Sequence, residues 1–174
     1  MTTPRSLADI DWTRWSGVVC TLVFVVRGGE VLLIRKKRGL GAGKVNGPGG
    51  KLDPGEAPLD CARREVREEV CATPLGLALA GRARFQFADG YATDVHVFRA
   101  SDLEGTPRST PEADPFWVPL AEIPYAEMWA DDALWLPQLL AGRGFSGCFL
   151  FDGDTLLDWA LELEESLPSS APRA

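Results

Sequence analysis

The chain is organised around residues 49–70, which read GGKLDPGEAPLDCARREVREEV. The Asp-Pro-Gly turn at residues 53–55 excludes a helix there, whereas Pro58 suits a first helical position. Beyond that proline, small and apolar residues recur at helical spacing. They are Leu59, Ala62, Val66 and Val70. The pattern predicts a loop that feeds directly into an amphipathic helix.

Three carboxylates crowd one edge of this predicted helix. Glu65, Glu68 and Glu69 fall within about 100° of one another around the helix axis. Like charges at these spacings destabilise a helix by about a few tenths of a kcal/mol per pair, so we expect a counter-ion. Oxygen ligands without His or Cys favour Mg²⁺ or Mn²⁺. The alternative is a solvated helix face on which Arg64 and Glu68 form an ordinary surface pair.

The complete spacing is a glycine, five residues, Glu56, seven residues and then REVxEE at residues 64–69. It resembles the signature of the Nudix hydrolases, a family that cleaves nucleoside diphosphates linked to another moiety. Two positions depart from the signature, because its closing glycine and aliphatic residue are here Cys71 and Ala72. Glycine reaches left-handed conformations that cysteine resists, so the departure concerns the helix end and no metal ligand.

Four further stretches are similar to the MutT branch of this family, and especially to its mammalian-type members that hydrolyse oxidised purine nucleoside triphosphates. These stretches are KKRGLGAGKVNGPGG (36–50), DVHVF (94–98), EGTP (104–107) and MWADDALWLP (128–137). The likeness extends from about residue 21 to residue 161. It implies an α/β protein with the Nudix fold, in which a mixed β-sheet is sandwiched between helices (α/β/α).

The resemblance also implies a metal site, a catalytic group and a pocket for a base. The expected metal contacts are the Gly49 carbonyl and the side chains of Glu65, Glu68, Glu69 and Glu112. Glu69, or alternatively Glu112, is expected to accept the proton of the attacking water, while Glu65 and an orienting Arg64 complete the catalytic group. The residues expected to bind substrate are Thr21, Lys36, Asn46, Phe85, Trp129, Asp131 and Asp132.

Several of these residues have a simpler structural interpretation. Thr21 is the one polar side chain of an apolar strand, and it either faces a ligand or bonds to a neighbouring backbone group. Asp131 or Asp132 is well placed to cap the helix that follows. His96, which shares a strand face with Asp94, is better interpreted as a structural residue than as a catalyst.

Four positions of the implied pocket carry smaller residues than the mammalian-type enzymes have. Where those enzymes have Phe, Trp, Met and Met, this chain has Leu40, Val45, Thr93 and Ala113. We therefore expect a roomier pocket. Before the signature, the basic and glycine-rich residues 36–44 form a loop that suits phosphates, with an ordinary surface loop as the alternative.

The implied activity is magnesium-dependent hydrolysis of oxidised purine nucleoside triphosphates, such as 8-oxo-dGTP and 2-oxo-dATP, to monophosphate and pyrophosphate. Mn²⁺ is expected to substitute for Mg²⁺, and the biological role would be to sanitise the nucleotide pool and so avoid DNA damage. A broad hydrolase of dinucleoside polyphosphates or nucleotide sugars is one alternative, favoured by the enlarged pocket. The other is a non-catalytic nucleotide-sensing module, and the intact Arg64 and glutamates argue against it.

Composition narrows the class of protein. A chain of 174 residues with 45% hydrophobic and 25% charged residues is typical of a single globular domain. Its net charge of -7 argues against binding to nucleic-acid polymers, which needs a basic patch. The four cysteines lack C-x-x-C spacing, so we expect reduced thiols and no zinc site. No signal peptide or membrane span is recognisable, and we expect a cytoplasmic monomer without membrane partners.

Local patterns divide the chain into an N-terminal extension (1–16), one domain (17–165) and a disordered tail (166–174). Trp12 and Trp15 either seat a short helical turn on the domain or are incidental tryptophans in a frayed tail. The predicted strand pairs are 18–26 with 30–35, 77–87 with 91–100 and 145–151 with 155–163, joined by glycine-containing turns. A short strand at 116–118 and helices at 120–126 and 133–140 are also predicted. Between them, residues 101–115 are expected to form a loop that swings Glu112 toward the metals.

Overall fold

The computed structural model describes residues 3–165, and the tail predicted at 166–174 lies outside them. The strands are β1 (Val18–Arg27), β2 (Glu30–Lys36), β3 (Val45–Asn46), β4 (Gly49–Lys51), β5 (Thr73–Leu75), β6 (Ala78–Phe87), β7 (Ala92–Ala100), β8 (Asp102–Glu104), β9 (Ala113–Pro119), β10 (Phe145–Asp152) and β11 (Thr155–Leu163). The helices are α1 (Pro58–Val70) and α2 (Asp132–Leu140), with 3₁₀ turns at Leu7–Asp9 and Tyr125–Glu127.

A mixed sheet forms the centre of the domain. Its strand order is β11-β10-β6-β7-β1-β2-β3, with β4 attached to β1 and β9 attached to β2. The β1–β7 and β6–β10 pairs are parallel, and the hairpins β1–β2, β6–β7 and β10–β11 are antiparallel as predicted. A separate two-stranded sheet joins β5 to β8.

Each face of the sheet has its own hydrophobic core. The alternation of side chains along β1 sends Phe24 into one core and Val23 and Val25 into the other. Helix α2 covers the first core with Trp135, Leu136 and Leu139. Helix α1 covers the second with Ala62, Val66 and Val70. The predicted α/β/α arrangement is confirmed, and the near-continuous apolar sequence of β1 follows from its burial on both faces.

Three sequence predictions were wrong in detail. Residues 101–115 are not one loop, because β8 pairs with β5 and β9 already begins at Ala113. The helix predicted at 120–126 is only the 3₁₀ turn Tyr125–Glu127, since Pro124 restricts the residue before it and lacks an N–H donor. The short strands β3 and β4 were missed, because β3 is only two residues long and β4 reads Gly-Gly-Lys, which has little strand propensity.

The N-terminal extension contacts the sheet, although its helical turn lies at Leu7–Asp9 rather than at the tryptophans. The backbone N–H of Leu7 donates to Asp158 at 2.8 Å. Trp15 donates its indole N–H to Gln86 of β6 at 2.9 Å, and its ring centroid lies 5.5 Å from that of Trp12. Within residues 3–165, no helix is long and apolar enough to cross a bilayer.

Helix α1 ends in a left-handed backbone conformation that its capping residue, Cys71, disfavours. Cys71 adopts φ 59° and ψ 32°, and its N–H donates to the Arg67 carbonyl at 3.0 Å. It is the one non-glycine residue with positive φ among the described residues. A β-carbon is strained in this left-handed conformation, so the cap that glycine would form easily is here formed at a cost in free energy.

Replacing Cys71 with glycine should therefore stabilise the protein. Because the side chain is exposed, little packing is lost. We expect the free energy of unfolding to rise by about 0.5–1 kcal/mol and Tm by about 2–4 °C. Thermal melts of Cys71→Gly and of Cys71→Ala test this prediction, because alanine removes the thiol but keeps the strain. A glycine variant that melts no higher than the alanine variant would contradict it.

Candidate active site

A cavity of about 610 Å³ opens between the sheet, the start of α2 and the glycine-rich loop. All the predicted site residues except Arg64 and Glu68 line it. They are Thr21, Lys36, Asn46, Gly49, Glu65, Glu69, Phe85, Glu112, Trp129, Asp131 and Asp132. The cavity thus joins the acidic edge of α1 to the aromatic and acidic residues around α2.

Arg64 organises the carboxylates from outside the cavity. Its guanidinium donates to both oxygens of Glu56, at 2.8 and 2.9 Å, and to the Lys51 carbonyl at 3.0 Å. It also donates to Glu65 at 2.8 Å and to Glu68 at 3.2 Å. Hydrogen bonding to Arg64 lowers the pKa of Glu56 to about 2. This network fixes the signature loop to the helix and leaves Glu68 partly exposed beside it.

Glu65 and Glu69 are the buried carboxylates of α1. Burial raises the pKa of Glu69 to about 8, although its carboxylate accepts a hydrogen bond from the Gly49 N–H at 3.4 Å. Burial also raises the pKa of Glu65 above its ordinary value. Both carboxylates therefore lie where a cation would strongly favour their ionised forms.

The two glycines of β4 permit the backbone to approach closely on both sides. A β-carbon at Gly49 would lie 1.9 Å from the Thr21 carbonyl oxygen. A β-carbon at Gly50 would lie 2.4 Å from the Glu65 carboxylate. Gly49 therefore requires glycine, because backbone atoms block a β-carbon there, whereas at Gly50 the end of the Glu65 side chain would have to move. The loop backbone thus runs directly against the acidic edge of α1.

Glu112 is held in place rather than carried on a free loop. Its carboxylate pairs with Arg38, and its backbone carbonyl accepts the Lys37 N–H at 2.9 Å. The Thr110 hydroxyl donates to the Glu69 carbonyl at 2.8 Å, which attaches this turn to the end of α1. In this structure the turn before β9 already positions Glu112 on the cavity wall, and a swing of this loop toward the metals stays a prediction.

Within residues 3–165, no three His, Cys, Asp or Glu side chains converge into a preformed metal site. Arg64 and Arg38 instead hold several of the acidic side chains. The available donors are nonetheless all oxygens, and they surround a backbone that only glycine allows to come so close. This donor set fits a hard divalent cation such as Mg²⁺.

Aromatic side chains form the other end of the cavity. The ring centroid of Trp129 lies 6.0 Å from that of Phe87 and 5.4 Å from that of Phe151, and both contacts are edge-on. Sequence reasoning missed Phe87 and Phe151. Phe87 lies two residues after Phe85 on one strand and so shares its face, which is a signal that could have found it.

The Asp131–Asp132 pair is almost fully buried, with 1% and 2% of each residue exposed. One oxygen of Asp131 accepts the indole N–H of Trp135 at 2.8 Å, and its other oxygen has no protein partner among the described residues. Asp132 accepts the backbone N–H of Trp129 at 3.1 Å, before the helix begins. Asp131 occupies the cap position of α2, as the structural interpretation expected, but its side chain makes no capping bond there.

Desolvation dominates the electrostatics of this pair. Burial raises the pKa of Asp131 and raises that of Asp132 further, because the Asp131 charge adds to the desolvation there. Two adjacent buried carboxyls cannot both ionise cheaply, so the pair favours a state that retains one proton. Trp135 was also missed, although its position four residues after Asp131 indicates contact across one helical turn.

Thr21 fits neither of its two predicted alternatives completely. It lines the cavity, but its hydroxyl oxygen lies 3.4 Å from the Cys61 thiol of α1 rather than on a backbone group. Among the smaller residues, Leu40 and Thr93 lie on the cavity wall. Val45 and Ala113 are fully buried and do not line the cavity, so only two of the four smaller residues are placed to enlarge it.

Asp94 and His96 lie outside the cavity lining. Asp94 forms a two-oxygen ion pair with Arg82 on the neighbouring strand, which lowers the pKa of Asp94. Desolvation lowers the pKa of His96, so the imidazole favours its neutral form. The structural interpretation of His96 agrees with this position.

Comparison with known proteins gives consistent matches. A family model described as NUDIX domain matches residues 16–139. The chain is 45% identical over 149 residues to the oxidized purine nucleoside triphosphate hydrolase of Danio rerio, which covers 84% of this chain and 96% of the relative. It is 43% identical over 148 residues to the Mus musculus protein of the same name, covering 84% and 95%.

Among solved structures, the MutT protein of Bacillus halodurans superposes with a TM-score of 0.75 at 29% identity. The superposition covers 83% of this chain and 97% of that protein. The sequence comparison and the structural comparison therefore point to the same family.

Proposed function

Since this chain belongs to the Nudix hydrolase family, we propose that it hydrolyses oxidised purine nucleoside triphosphates to monophosphate and pyrophosphate. 8-oxo-dGTP and 2-oxo-dATP are the expected substrates. One observation carries the proposal: a single cavity joins the acidic edge of α1 to a buried Asp131–Asp132 pair beside Trp129. The acidic edge of α1 suits a metal-bound triphosphate. Trp129 suits the face of a purine, and the Asp131–Asp132 pair suits its edge.

Mg²⁺ is the proposed cofactor, with Mn²⁺ as a substitute. The Gly49 carbonyl and the carboxylates of Glu65, Glu68, Glu69 and Glu112 would hold it. When bound, the ion supplies Lewis-acid polarisation of a phosphoryl oxygen and lowers the pKa of a water molecule.

The protein's own residues would then orient the phosphates and move the proton. Arg64 holds Glu65 and Glu68 in position through its hydrogen bonds. Glu69, fixed by the Gly49 N–H at the cavity wall, would accept the proton of the attacking water, with Glu112 as the alternative base. Lys36 and Arg38 line the same part of the cavity and would neutralise phosphate charge.

Base selection would depend on hydrogen bonds to the purine edge. Stacking on Trp129 holds any base with little discrimination, and it contributes about 1–3 kcal/mol in single-strand binders. The Asp131–Asp132 pair can both donate and accept when one carboxyl keeps its proton. Oxidised guanine and oxidised adenine present different donors and acceptors, so moving this proton would let one pocket serve both.

Asp131→Asn and Asp132→Asn should accordingly damage different substrates unequally. An asparagine offers a fixed donor and a fixed acceptor, so it can match one oxidised purine but not both. We expect kcat/KM to fall about 10- to 100-fold for the mismatched substrate, the cost of about one lost edge hydrogen bond, and less for the other. The measurement is kcat/KM for 8-oxo-dGTP, 2-oxo-dATP and dGTP with each variant.

Thermal melts of the same variants separate base reading from a structural role. If the two acids serve only to stabilise the start of α2, both variants should melt lower and lose activity toward all three nucleotides in proportion. Proportional losses across the three nucleotides would refute base reading by this pair.

One panel of nucleotides distinguishes this function from its alternatives. The chain is incubated with Mg²⁺ and 8-oxo-dGTP, 2-oxo-dATP, dGTP, a dinucleoside polyphosphate or a nucleotide sugar, and products are separated by chromatography. Preferential release of pyrophosphate from the oxidised triphosphates supports the proposal. Equal cleavage of dinucleotides or nucleotide sugars would favour the broad hydrolase, for which the smaller Leu40 and Thr93 leave room. Binding without turnover would identify a sensing module.

We further propose a cytoplasmic location and a monomeric state. The four cysteines are free thiols, which suits a reducing compartment. The substrate would be the free nucleotide rather than a nucleic-acid polymer, in keeping with the net charge of -7.

A further inference from the structure

Lys44 is the last residue of the glycine-rich loop, and its ammonium group lies over the ring of Trp129, 4.9 Å from the centroid. The same ammonium pairs with Asp154 in the β10–β11 turn at 3.0 Å. Only 25% of the Lys44 side chain is exposed, so this cation is better shielded from water than most surface lysines. A shielded cation interacts more strongly with an aromatic ring than an exposed one does.

Lys44 contacts Trp129 from outside the cavity lining. Trp129 lines the cavity, and Lys44 does not. Phe87 and Phe151 meet the indole edge-on, and a β-carbon at Gly41 would lie 2.9 Å from its ring nitrogen. The ring is therefore fixed by its neighbours, and a cation that is not part of the cavity wall covers one of its faces, which leaves the other face for a base in the cavity.

A cation over one π face of an indole changes which bases stack favourably on the opposite face. The negative charge of the π face is drawn toward the ammonium, so the opposite face becomes poorer in electrons. An electron-poor face stacks more favourably on an electron-rich partner. A purine with an added oxygen at C8 is richer in electrons than the unmodified base.

We propose that Lys44 is a specificity-determining positioning residue, which acts through Trp129 to favour electron-rich purines in the cavity. This inference rests on the proposed function, because it assumes that a purine stacks on Trp129. The base would then be selected in two ways. Stacking on Trp129 would select its π face, and hydrogen bonds to Asp131 and Asp132 would select its edge.

The competing explanation is mechanical, since the Lys44–Asp154 pair also closes the loop against the β10–β11 turn. Three variants separate the two roles. Lys44→Met removes the cation and keeps a long apolar side chain. Lys44→Arg keeps a cation able to lie over the indole. Asp154→Asn breaks the ion pair and leaves the ammonium over the ring.

The test is equilibrium binding of 8-oxo-dGMP, dGMP and inosine monophosphate to the full chain by calorimetry. Monophosphates avoid turnover, and the ratio of variant to wild-type Kd for each nucleotide cancels the contribution of its edge hydrogen bonds. We expect Lys44→Met to weaken 8-oxo-dGMP binding about 3- to 10-fold and the two unmodified nucleotides by less than about 2-fold. Lys44→Arg and Asp154→Asn should stay within about 2-fold of wild type for all three.

Three outcomes overturn the inference. Equal weakening of all three nucleotides by Lys44→Met, or the same loss with Asp154→Asn, would assign Lys44 to loop closure alone. Wild-type protein that binds none of the monophosphates would also overturn it. If 8-oxo-dGMP binds with the expected dependence on Lys44 but no triphosphate is hydrolysed, the proposed function fails while this inference stands.

Discussion

Replacing Glu69 with glutamine is expected to lower kcat at least about 10²-fold, the lower range for loss of a general base, while the protein remains folded. The glutamine has nearly the same shape, and its oxygen can still accept the Gly49 N–H that Glu69 accepts at 3.4 Å. What it loses is the negative charge that would hold a cation or accept a proton. The substitution therefore separates chemistry from packing at a residue that is only 5% exposed.

The measurement is steady-state turnover of 8-oxo-dGTP at saturating Mg²⁺, with a thermal melt of the same preparation. Asp60→Asn provides a matched control, because it removes a carboxylate from the exposed side of α1, outside the cavity lining. We expect the control to retain wild-type turnover. A Glu69→Gln enzyme with more than a third of the wild-type rate would show that the signature helix is not the catalytic site.

Removal of divalent cations is expected to reduce hydrolysis to the rate measured without protein. No histidine lines the cavity. In the proposed mechanism the cation must therefore lower the pKa of the attacking water before a carboxylate can accept its proton. All-oxygen donors also predict which ions restore activity. Mg²⁺ and Mn²⁺ should restore it, and Zn²⁺ should not be required.

Hydrolysis of 8-oxo-dGTP is followed after exhaustive chelation and after each ion is added back. A melt recorded in the chelated sample controls for unfolding, since loss of activity with an unchanged Tm places the effect on the reaction. Full activity in the chelated sample would contradict the magnesium proposal but would not affect the fold or the family assignment.

The sequence predicted α1 well because its signals are local. Pro58 at the first position and apolar residues at helical spacing suffice to define the helix, which runs over Pro58–Val70. The strands β3 and β4 could not be predicted this way. β4 exists because Gly49, Gly50 and Lys51 pair with residues of β1, about 30 residues earlier in the sequence, and β3 exists because it pairs with the end of β2.

The same distinction applies to the candidate site. The acidic edge of α1 follows from residue spacing along one helix, and the pocket residues implied by family resemblance meet at one cavity. The pair of Arg38 with Glu112 and the contact of Thr21 with Cys61 join residues 74 and 40 positions apart. No local pattern encodes such contacts, because they depend on how β2, β9 and α1 come together.

The parallel pairing of β1 with β7 has a consequence for how the chain is made. Val18 pairs with Thr93 and Val25 with Ala100, so the centre of the sheet cannot close until about a hundred residues have left the ribosome. The second parallel pair, β6 with β10, needs the chain as far as Phe151. Non-local pairing of this kind slows folding and leaves unpaired strand edges exposed meanwhile. A nascent chain that stalls before residue 145 therefore exposes one edge of β6 without its β10 partner, and such an unpaired edge favours aggregation with other chains.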